Sequence, residues 1–226
     1  MCGRFNIIDD PFTQLIAELT GQTYSGGTRY NIAPTEQVPV LAKMDNEDWS
    51  ISDMRWWLVP YWAKEPTTKY AMFNAKSETM AKSSAFREPF KKRRCIVPAS
   101  GYYEWKKEGS VKVPFYIEPD DEPGFAFAGL WDRWHRDDRV IESCTIITAA
   151  APDSMRGVHT RIPVHLTKQQ VNAWVNADTS ADELQKLLTP EIRFPLKVTP
   201  VSTYVNNARN KDDRCVEPLG DSIQIH

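Results

Sequence analysis

The residue with the most distinctive chemistry in this chain is Cys2, which directly follows Met1. Removal of Met1 would leave a free α-amine and a thiol on adjacent carbons, a pair that no internal cysteine offers. Their reference pKa values are about 8 and about 8.5, so both groups react near neutral pH. The amine can condense with an aldehyde to an imine, on which the thiol closes a five-membered thiazolidine. Alternatively, the amine can serve as the base for its own thiol, as in N-terminal nucleophile enzymes.

Four further segments bring reactive and polar side chains together. They are residues 29–34, which we interpret as a polar loop before a strand, and residues 74–79, 95–105 and 159–163. Glu104 lies within an apolar and aromatic strand pattern, where burial would raise its pKa and suit it to proton transfer. Taken one at a time, each segment also has a structural explanation, with Asn74 as a helix cap, Glu104 as an ion-pair partner and His159 as a core or loop histidine.

The composition of the 226-residue chain, with 41% hydrophobic residues, is that of a globular protein with a substantial core. Acidic residues interrupt the N-terminal stretch, and no segment approaches the roughly 20 apolar residues of a membrane helix. We therefore expect a cytoplasmic protein without a signal peptide or a membrane partner. Four cysteines and four histidines are scattered without metal-ligand spacing, so we expect no metal, no other cofactor and no disulfide framework.

The charge distribution leaves nucleic acid open as a partner. A net charge of −2 and a pI near 6.1 argue against coating duplex DNA by bulk charge, but they allow a local basic groove. Residues 91–94 form the most visible basic cluster, which we interpret as a solvated face after a helix. Several of the eight tryptophans lie in polar segments, Trp62 and Trp105 among them, and aromatic faces beside basic residues suit unstacked bases.

Hydrophobic patterning predicts an α+β fold in a single domain, residues 1–226. An amphipathic helix is expected over residues 11–20, capped by Asp9 or Asp10. Strand patterns cover residues 38–42, 49–58, 95–98, 102–106, 113–118, 125–130 and 140–148, and helical patterns cover 77–90, 168–176 and 181–188. Mostly antiparallel strands of this kind predict a barrel-like β core with peripheral helices.

Together, these segments match an ordered set of family motifs. The chain begins M-C-G-R and continues with R-Y-N-x-A-P, N-A-K-x-E-T, C-x-x-P-x-x-G-Y-Y-E-W and H-x-R-x-P. In this order they resemble the SOS-response-associated peptidase (SRAP) family, the abasic-site shield proteins of bacteria and eukaryotes. The resemblance extends from Cys2 to the segment around Asn206 and Asn207. It implies a protein that crosslinks covalently to abasic sites in single-stranded DNA through its N-terminal cysteine and protects the lesion from strand cleavage.

The resemblance also implies roles for individual residues. It makes Cys2 the crosslinking nucleophile after loss of Met1, and Asn74 the side chain that helps to orient the sugar and the cysteine. Glu104 corresponds to a glutamate that shuttles protons during imine formation. His159 corresponds to a histidine that assists sugar ring opening and reversal of the crosslink.

DNA contacts are implied at seven further positions. They are Arg4, Asn31, Trp62, Lys76, Trp105, Thr148 and Arg161. Three positions depart from the family pattern. Lys76 stands where arginine is usual, which keeps a phosphate-binding charge but loses the bidentate fork. Trp57 replaces a glycine and Ile162 replaces a methionine, and we interpret both as packing changes.

The implied chemistry agrees with the residue types. An abasic deoxyribose is partly an open-chain aldehyde, so the Cys2 amine adds at C1′ and water leaves. One carboxyl with a raised pKa serves as base for the ammonium and as acid for the departing water. The thiazolidine lacks the acidified β-position of a persistent imine, which suppresses β-elimination. We therefore expect a monomeric, autocatalytic DNA–protein crosslinker with self-processing peptidase- or lyase-like chemistry.

Two alternative functions remain open. Class II glutamine amidotransferases also begin with Met-Cys-Gly and use the N-terminal cysteine on an amide, but the Asn-Gly motif of those hydrolases is absent here. The second alternative is a non-covalent single-stranded DNA-binding module in which Cys2 is incidental. Replacing Cys2 separates a crosslinker from such a module, since only the crosslinker would lose a covalent product.

Overall fold

Strands dominate the described part of the chain, residues 2–43 and 48–226 of a computed structural model. The strands are β1 (Arg4–Ile7), β2 (Arg29–Ile32), β3 (Gln37–Lys43), β4 (Trp49–Trp56), β5 (Asn74–Lys76), β6 (Arg94–Ala99), β7 (Gly101–Glu108), β8 (Val111–Pro119), β9 (Phe125–Arg136), β10 (Arg139–Ala150), β11 (Arg161–Pro163), β12 (His165–Leu166), β13 (Leu196–Pro200) and β14 (Ile223–Ile225). The α-helices are α1 (Asp9–Thr20), α2 (Arg87–Lys92), α3 (Asp153–Arg156), α4 (Lys168–Val175) and α5 (Ala181–Leu187), and 3-10 helices lie at Met80–Lys82, Thr203–Asn206 and Asp213–Val216.

Five of the strands close into a barrel. β4 pairs with β3, β3 with β6, β6 with β9 and β9 with β10, all antiparallel, and β10 returns to β4 in parallel. The six residues of β6 are all buried. One face of β6 points into the barrel, while α1 and α4 pack against the strand from outside. β5 and β11 extend the sheet beyond β10.

The second sheet carries the N-terminal motif and the G-Y-Y-E-W motif side by side. Its strand order is β14-β13-β8-β7-β1-β2, and its described pairs are antiparallel. Because β1 lies between β2 and β7, the residues just before β1 approach the middle of β7. The β7–β8 hairpin turns through Gly109, whose φ of 61° lies in the left-handed region that glycine enters without strain. Both sheets contribute buried residues to the main hydrophobic core, and a smaller separate cluster contains Tyr103, Tyr116, Val201, Val205 and Cys215.

The structure confirms the α+β class, with a mostly antiparallel, barrel-like β core and peripheral helices. Two local predictions are wrong. α1 begins at Asp9 with Ile8 in the cap position, so Asp9 and Asp10 lie in the first turn, where their charges favour the helix dipole. The polar segment at residues 29–34 is not all loop, because its first four residues form β2 by pairing with the free edge of β1.

Candidate functional site

A cleft of about 950 Å³ opens where the two sheets meet. Its walls come from residues 3–4 before and at the start of β1, residues 104–107 of β7, the turn at residues 156–160 after α3, and Asn206. Phe73 and Lys112 complete the lining. Segments that are far apart in sequence therefore converge on one concave surface.

Cys2 lies directly before the cleft residue Gly3 and is fully buried. Asn74, on β5, donates a hydrogen bond from Nδ2 to the Cys2 carbonyl oxygen at 2.7 Å. The Cys2 Sγ lies 3.9 Å from the carbonyl oxygen of Arg4. Burial, together with the negative charge of Glu104, raises the pKa of the Cys2 thiol far above its ordinary value. This thiol is therefore protonated at neutral pH, and it is held in place through its own backbone.

Glu104 is the acid of the cleft. Side chains alternate along β7, so Tyr102 and Glu104 share one face of the strand and Tyr103 and Trp105 share the other. The Glu104 side chain is 2% exposed. Burial raises the pKa of Glu104 to about 7. A carboxyl with this pKa exchanges protons near neutral pH, which is the property that general acid–base catalysis requires.

His159 is the partner of this carboxyl. Its Nε2 lies 3.7 Å from the Glu104 Oε2. Its Nδ1 lies 3.0 Å from the backbone nitrogen of Arg161 and 3.1 Å from the backbone oxygen, so either tautomer finds a partner there. Burial lowers the pKa of His159 below its ordinary value. The raised pKa of Glu104 and the lowered pKa of His159 together favour a neutral imidazole beside a carboxyl that is close to half ionised at neutral pH.

The Arg161 guanidinium lies in a bidentate ion pair with Glu78, with N–O distances of 3.1 and 3.0 Å. It also donates from Nε to the Thr148 Oγ1 at 3.1 Å and from Nη2 to the Thr148 carbonyl oxygen at 2.5 Å. Thr148 is fully buried, and in the parallel pairing of β10 with β5 it lies opposite the exposed Lys76. These three predicted DNA contacts therefore form one group, in which Thr148 positions the cation.

Arg4 lies on the rim of the cleft and is anchored to the segment that begins at Val205. It donates to the Asn31 Oδ1 at 2.8 Å and to the carbonyl oxygens of Val205 and Asn206 at 2.9 and 3.3 Å. Its guanidinium lies 5.8 Å from the centre of the Trp105 ring, and the Trp105 Nε1 donates to the Asn206 Oδ1 at 2.7 Å. Arg4 and Trp105 thus form a fixed platform at the cleft.

Asn31 and Trp62 do not line the cleft, although Asn31 supports the platform from behind through its bond to Arg4. Asn31 is fully buried, and its Nδ2 donates to three backbone oxygens, those of Val205, Asn207 and Asn210. Its side chain therefore fastens the 205–210 segment instead of facing the cleft. Trp62 is 48% exposed and lines a separate apolar pocket of about 260 Å³ at residues 58–72.

Comparison with known proteins identifies the chain's relatives. The profile of the SOS response associated peptidase (SRAP) family matches residues 1–208. The chain belongs to the SRAP family. It is 34% identical to the abasic site processing protein YoqW of Bacillus subtilis (strain 168), over 96% of this chain and 99% of that protein. It is 30% identical to the abasic site processing protein YedK of Escherichia coli (strain K12), over 97% of this chain and 100% of that protein.

Solved structures show the same architecture. An X-ray structure of a protein from Bacteroides thetaiotaomicron superimposes with a TM-score of 0.81 at 25% identity. The alignment covers 96% of this chain and 100% of that one. Among residues 2–43 and 48–226, no helix is both long enough and apolar enough to cross a membrane.

The family motifs did not indicate four cations that line the SRAP cleft, namely Lys106, Lys107, Lys112 and Arg156. The available signal was weak. Three of these residues lie on either side of the turn between two predicted strands, where lysine is common for solubility alone. The more obvious basic run, residues 91–94, lies outside the cleft lining. The prediction that this run is a solvated face holds for Lys91 and Lys92, but it is wrong for Arg94, which is buried.

Proposed function

We propose that this protein crosslinks covalently to abasic sites in single-stranded DNA through Cys2, after removal of Met1, and thereby shields the lesion. The observation that carries the proposal is the Glu104–His159 pair beside the buried Cys2, at a cleft lined by cations. The relatives named as abasic site processing proteins support the choice of ligand. The absence of a base at the lesion removes the unstacking cost there, so its sugar can enter a cleft.

Each step of the chemistry has a candidate group. Deprotonation of the Cys2 ammonium needs a base, and ionised Glu104 lies close by. The free amine attacks C1′ of the open-chain sugar, and protonated Glu104 then supplies the proton with which hydroxide leaves as water. His159 exchanges protons with Glu104 and assists opening of the sugar ring. Asn74 fixes the Cys2 carbonyl, so the amine and the thiol of this residue keep one orientation.

Ring closure completes the adduct. The Cys2 sulfur forms a bond to C1′ while its proton passes to the imine nitrogen, so the whole sequence releases one water per crosslink. A buried thiol with a raised pKa suits this second step, because an iminium carbon accepts a weak nucleophile. Attack on an unactivated amide, as in an amidotransferase, would instead require a thiolate, which this burial disfavours. We also propose self-processing, in which Glu104 and His159 activate a water that hydrolyses the Met1–Cys2 peptide bond, so that no thiolate is required.

The test is a crosslinking reaction with an abasic single-stranded oligonucleotide, with an undamaged oligonucleotide alongside. Protein whose N-terminus is verified as Cys2 should give a band stable to denaturing electrophoresis without reductant, with the summed masses minus one water. Cys2→Ala should give no such band, although its α-amine can still form an imine that a reductant traps. Cys144→Ala, which removes a buried barrel thiol, should crosslink normally. A stable adduct with Cys2→Ala, or none with the wild type, would refute the mechanism.

The Cys2→Ala variant also addresses the non-covalent alternative. A binding module would retain its whole function in Cys2→Ala, measured as protection of the abasic strand from cleavage. The proposal predicts that protection becomes reversible and is lost on dilution, because only the covalent product persists.

A further inference from the structure

The β7–β8 hairpin continues past the cleft with a face of distinctive composition. Residues directly opposite each other on antiparallel strands share a face, and here Trp105 is opposite Pro114 and Lys107 is opposite Lys112. Side chains two residues apart along a strand point the same way about 7 Å apart. The indole of Trp105 is therefore followed, one step along the same face, by a pair of lysines.

The two lysines form a like-charged pair across the hairpin. Directly opposed like charges on neighbouring strands destabilise a sheet. Within residues 2–43 and 48–226, neither Lys107 nor Lys112 has an ion pair, whereas Lys106 pairs with Glu108 at 2.8 Å and Arg156 pairs with Asp153 at 2.8 Å. The hairpin thus presents two uncompensated positive charges at one place.

The surroundings favour an anion at this place. Lys107 and Lys112 line the same cleft as Arg4, Trp105 and Glu104. Glu104 is the one acid among the described residues of that lining, and its pKa of about 7 reduces its negative charge at neutral pH. An aromatic ring followed by cations is the arrangement with which proteins hold single-stranded nucleic acid, since the ring stacks a base and the cations track the backbone.

We propose that this hairpin face binds the DNA strand on one flank of the abasic site, with a base on Trp105 and the next phosphates at Lys107 and Lys112. The inference rests on the proposed function, because it extends the path of the strand from the sugar held at Cys2. The paired lysines then determine how far the bound strand must extend on that side of the lesion.

The experiment compares Lys107→Gln/Lys112→Gln with the matched control Lys91→Gln/Lys92→Gln, which removes two exposed lysines from the other basic region. Affinity for undamaged oligo(dT) is measured over a range of salt concentrations. The hairpin variant should flatten the slope of log affinity against log salt by about 0.7 to 1.4, since each single-strand phosphate contact contributes about 0.7. The control should keep the wild-type slope.

A second measurement maps the flank. Abasic oligonucleotides that carry one neutral methylphosphonate linkage are crosslinked at limiting protein concentration. The wild type should lose affinity when linkages near the lesion are neutralised, and the hairpin variant should become insensitive to linkages on one side of the lesion. Equal salt slopes for both double variants, or equal sensitivity of the hairpin variant and the wild type, would overturn the proposal.

Failure of this inference is distinguishable from failure of the proposed function. The control variant Lys91→Gln/Lys92→Gln should give the wild-type yield of crosslink at every DNA concentration, whereas the hairpin variant should approach that yield only as the DNA concentration is raised, because its lysines bind the strand without touching the reacting atoms. A wild type that forms no adduct would reject the crosslinking mechanism while leaving the oligo(dT) slopes interpretable. A hairpin variant that melts at a lower temperature and keeps its salt slope would show that the lysines are structural.

Discussion

Two basic regions of this molecule look alike in composition, but their cations have different surroundings. The first is the run at residues 91–94, four consecutive cations at the end of α2 and the start of β6. Arg94 turns inward from it and donates to the carbonyl oxygens of Trp174 and Asn176 at 2.6 Å. It also donates to those of Phe90 and Lys91 at 2.9 Å. This arginine satisfies the otherwise unpaired carbonyls where α2 and α4 end.

The second region, the cleft, collects its cations from separate parts of the chain. Arg4 comes from β1, the lysines from the β7–β8 hairpin and Arg156 from the end of α3. These cations come from three separate segments of the chain, yet they all line the same cleft. The comparison shows that cations from distant segments can converge on one cleft, whereas cations adjacent in sequence point in different directions.

The largest effect should come from Arg94→Ala. Four carbonyl oxygens lose their donor in a buried place, so we expect the free energy of unfolding to fall by about 3 to 4 kcal/mol. Urea denaturation measures this loss, and DNA affinity under native conditions should stay at the wild-type value. Lys92→Ala is the control, with a change within about 0.5 kcal/mol. If Arg94→Ala weakened DNA binding without loss of stability, the division between the two regions would be wrong.

The next effect concerns the acid of the cleft. Burial raises the pKa of Glu104 from 4.5 to about 7, so ionising it costs more in the folded state than in the unfolded state. Protonated Glu104 therefore contributes to the free energy of unfolding. This contribution is fully present below pH 4.5 and is lost as the pH rises through 7. Glu104→Gln should therefore be more stable than wild type at pH 8, by up to about 3 kcal/mol.

The same variant should be impaired in chemistry, which no stability defect would explain. We expect crosslinking by Glu104→Gln to slow by about 10² or more, because proton transfer is lost while the side-chain volume remains. Melting temperature and crosslinking rate are measured across pH 5 to 8 on the same preparation. A rate that falls only where the protein becomes less stable would contradict the assignment.

Smaller effects on DNA affinity should distinguish the role of Arg161 from that of its acidic partner, Glu78. Arg161→Gln should weaken single-strand binding by about tenfold through loss of one phosphate contact. Glu78→Gln removes the anion that competes for this guanidinium, so we expect affinity to rise a few-fold instead. Oligonucleotide titration of both variants and of the double variant measures the coupling. Weakening of similar size in Glu78→Gln would mean that the ion pair positions Arg161 for DNA.

The smallest effect should follow from Lys76→Arg. This position is exposed on β5 and lies beside the Arg161 group. Arginine would restore a fork that binds phosphate with two hydrogen bonds, so affinity should rise by about twofold at unchanged stability. The same titration detects this change. Lys92→Arg, placed in the other basic region, should alter nothing, and an equal gain there would indicate a bulk effect of arginine.

The sequence was sufficient to predict the class of the fold and most of its elements. Alternating apolar residues mark the strands, and the amphipathic periods mark the helices, because burial of one face imposes a pattern that is read locally. The motif order was also sufficient to indicate the family. The chemistry of a terminal amine beside a thiol belongs to Cys2 itself and needs no partner to be recognised.

Only the tertiary structure decided which polar residues meet. It placed His159 against Glu104 and buried that carboxyl until its pKa reached about 7. It also turned Asn31 and Arg94 inward to hold backbone carbonyls and gathered the hairpin lysines at the cleft. These outcomes depend on strand order, on burial and on contacts between segments about 200 residues apart in the chain, such as that of Arg4 with Val205. A local pattern records which face of a strand is apolar, but convergence and desolvation arise only when distant strands pack together.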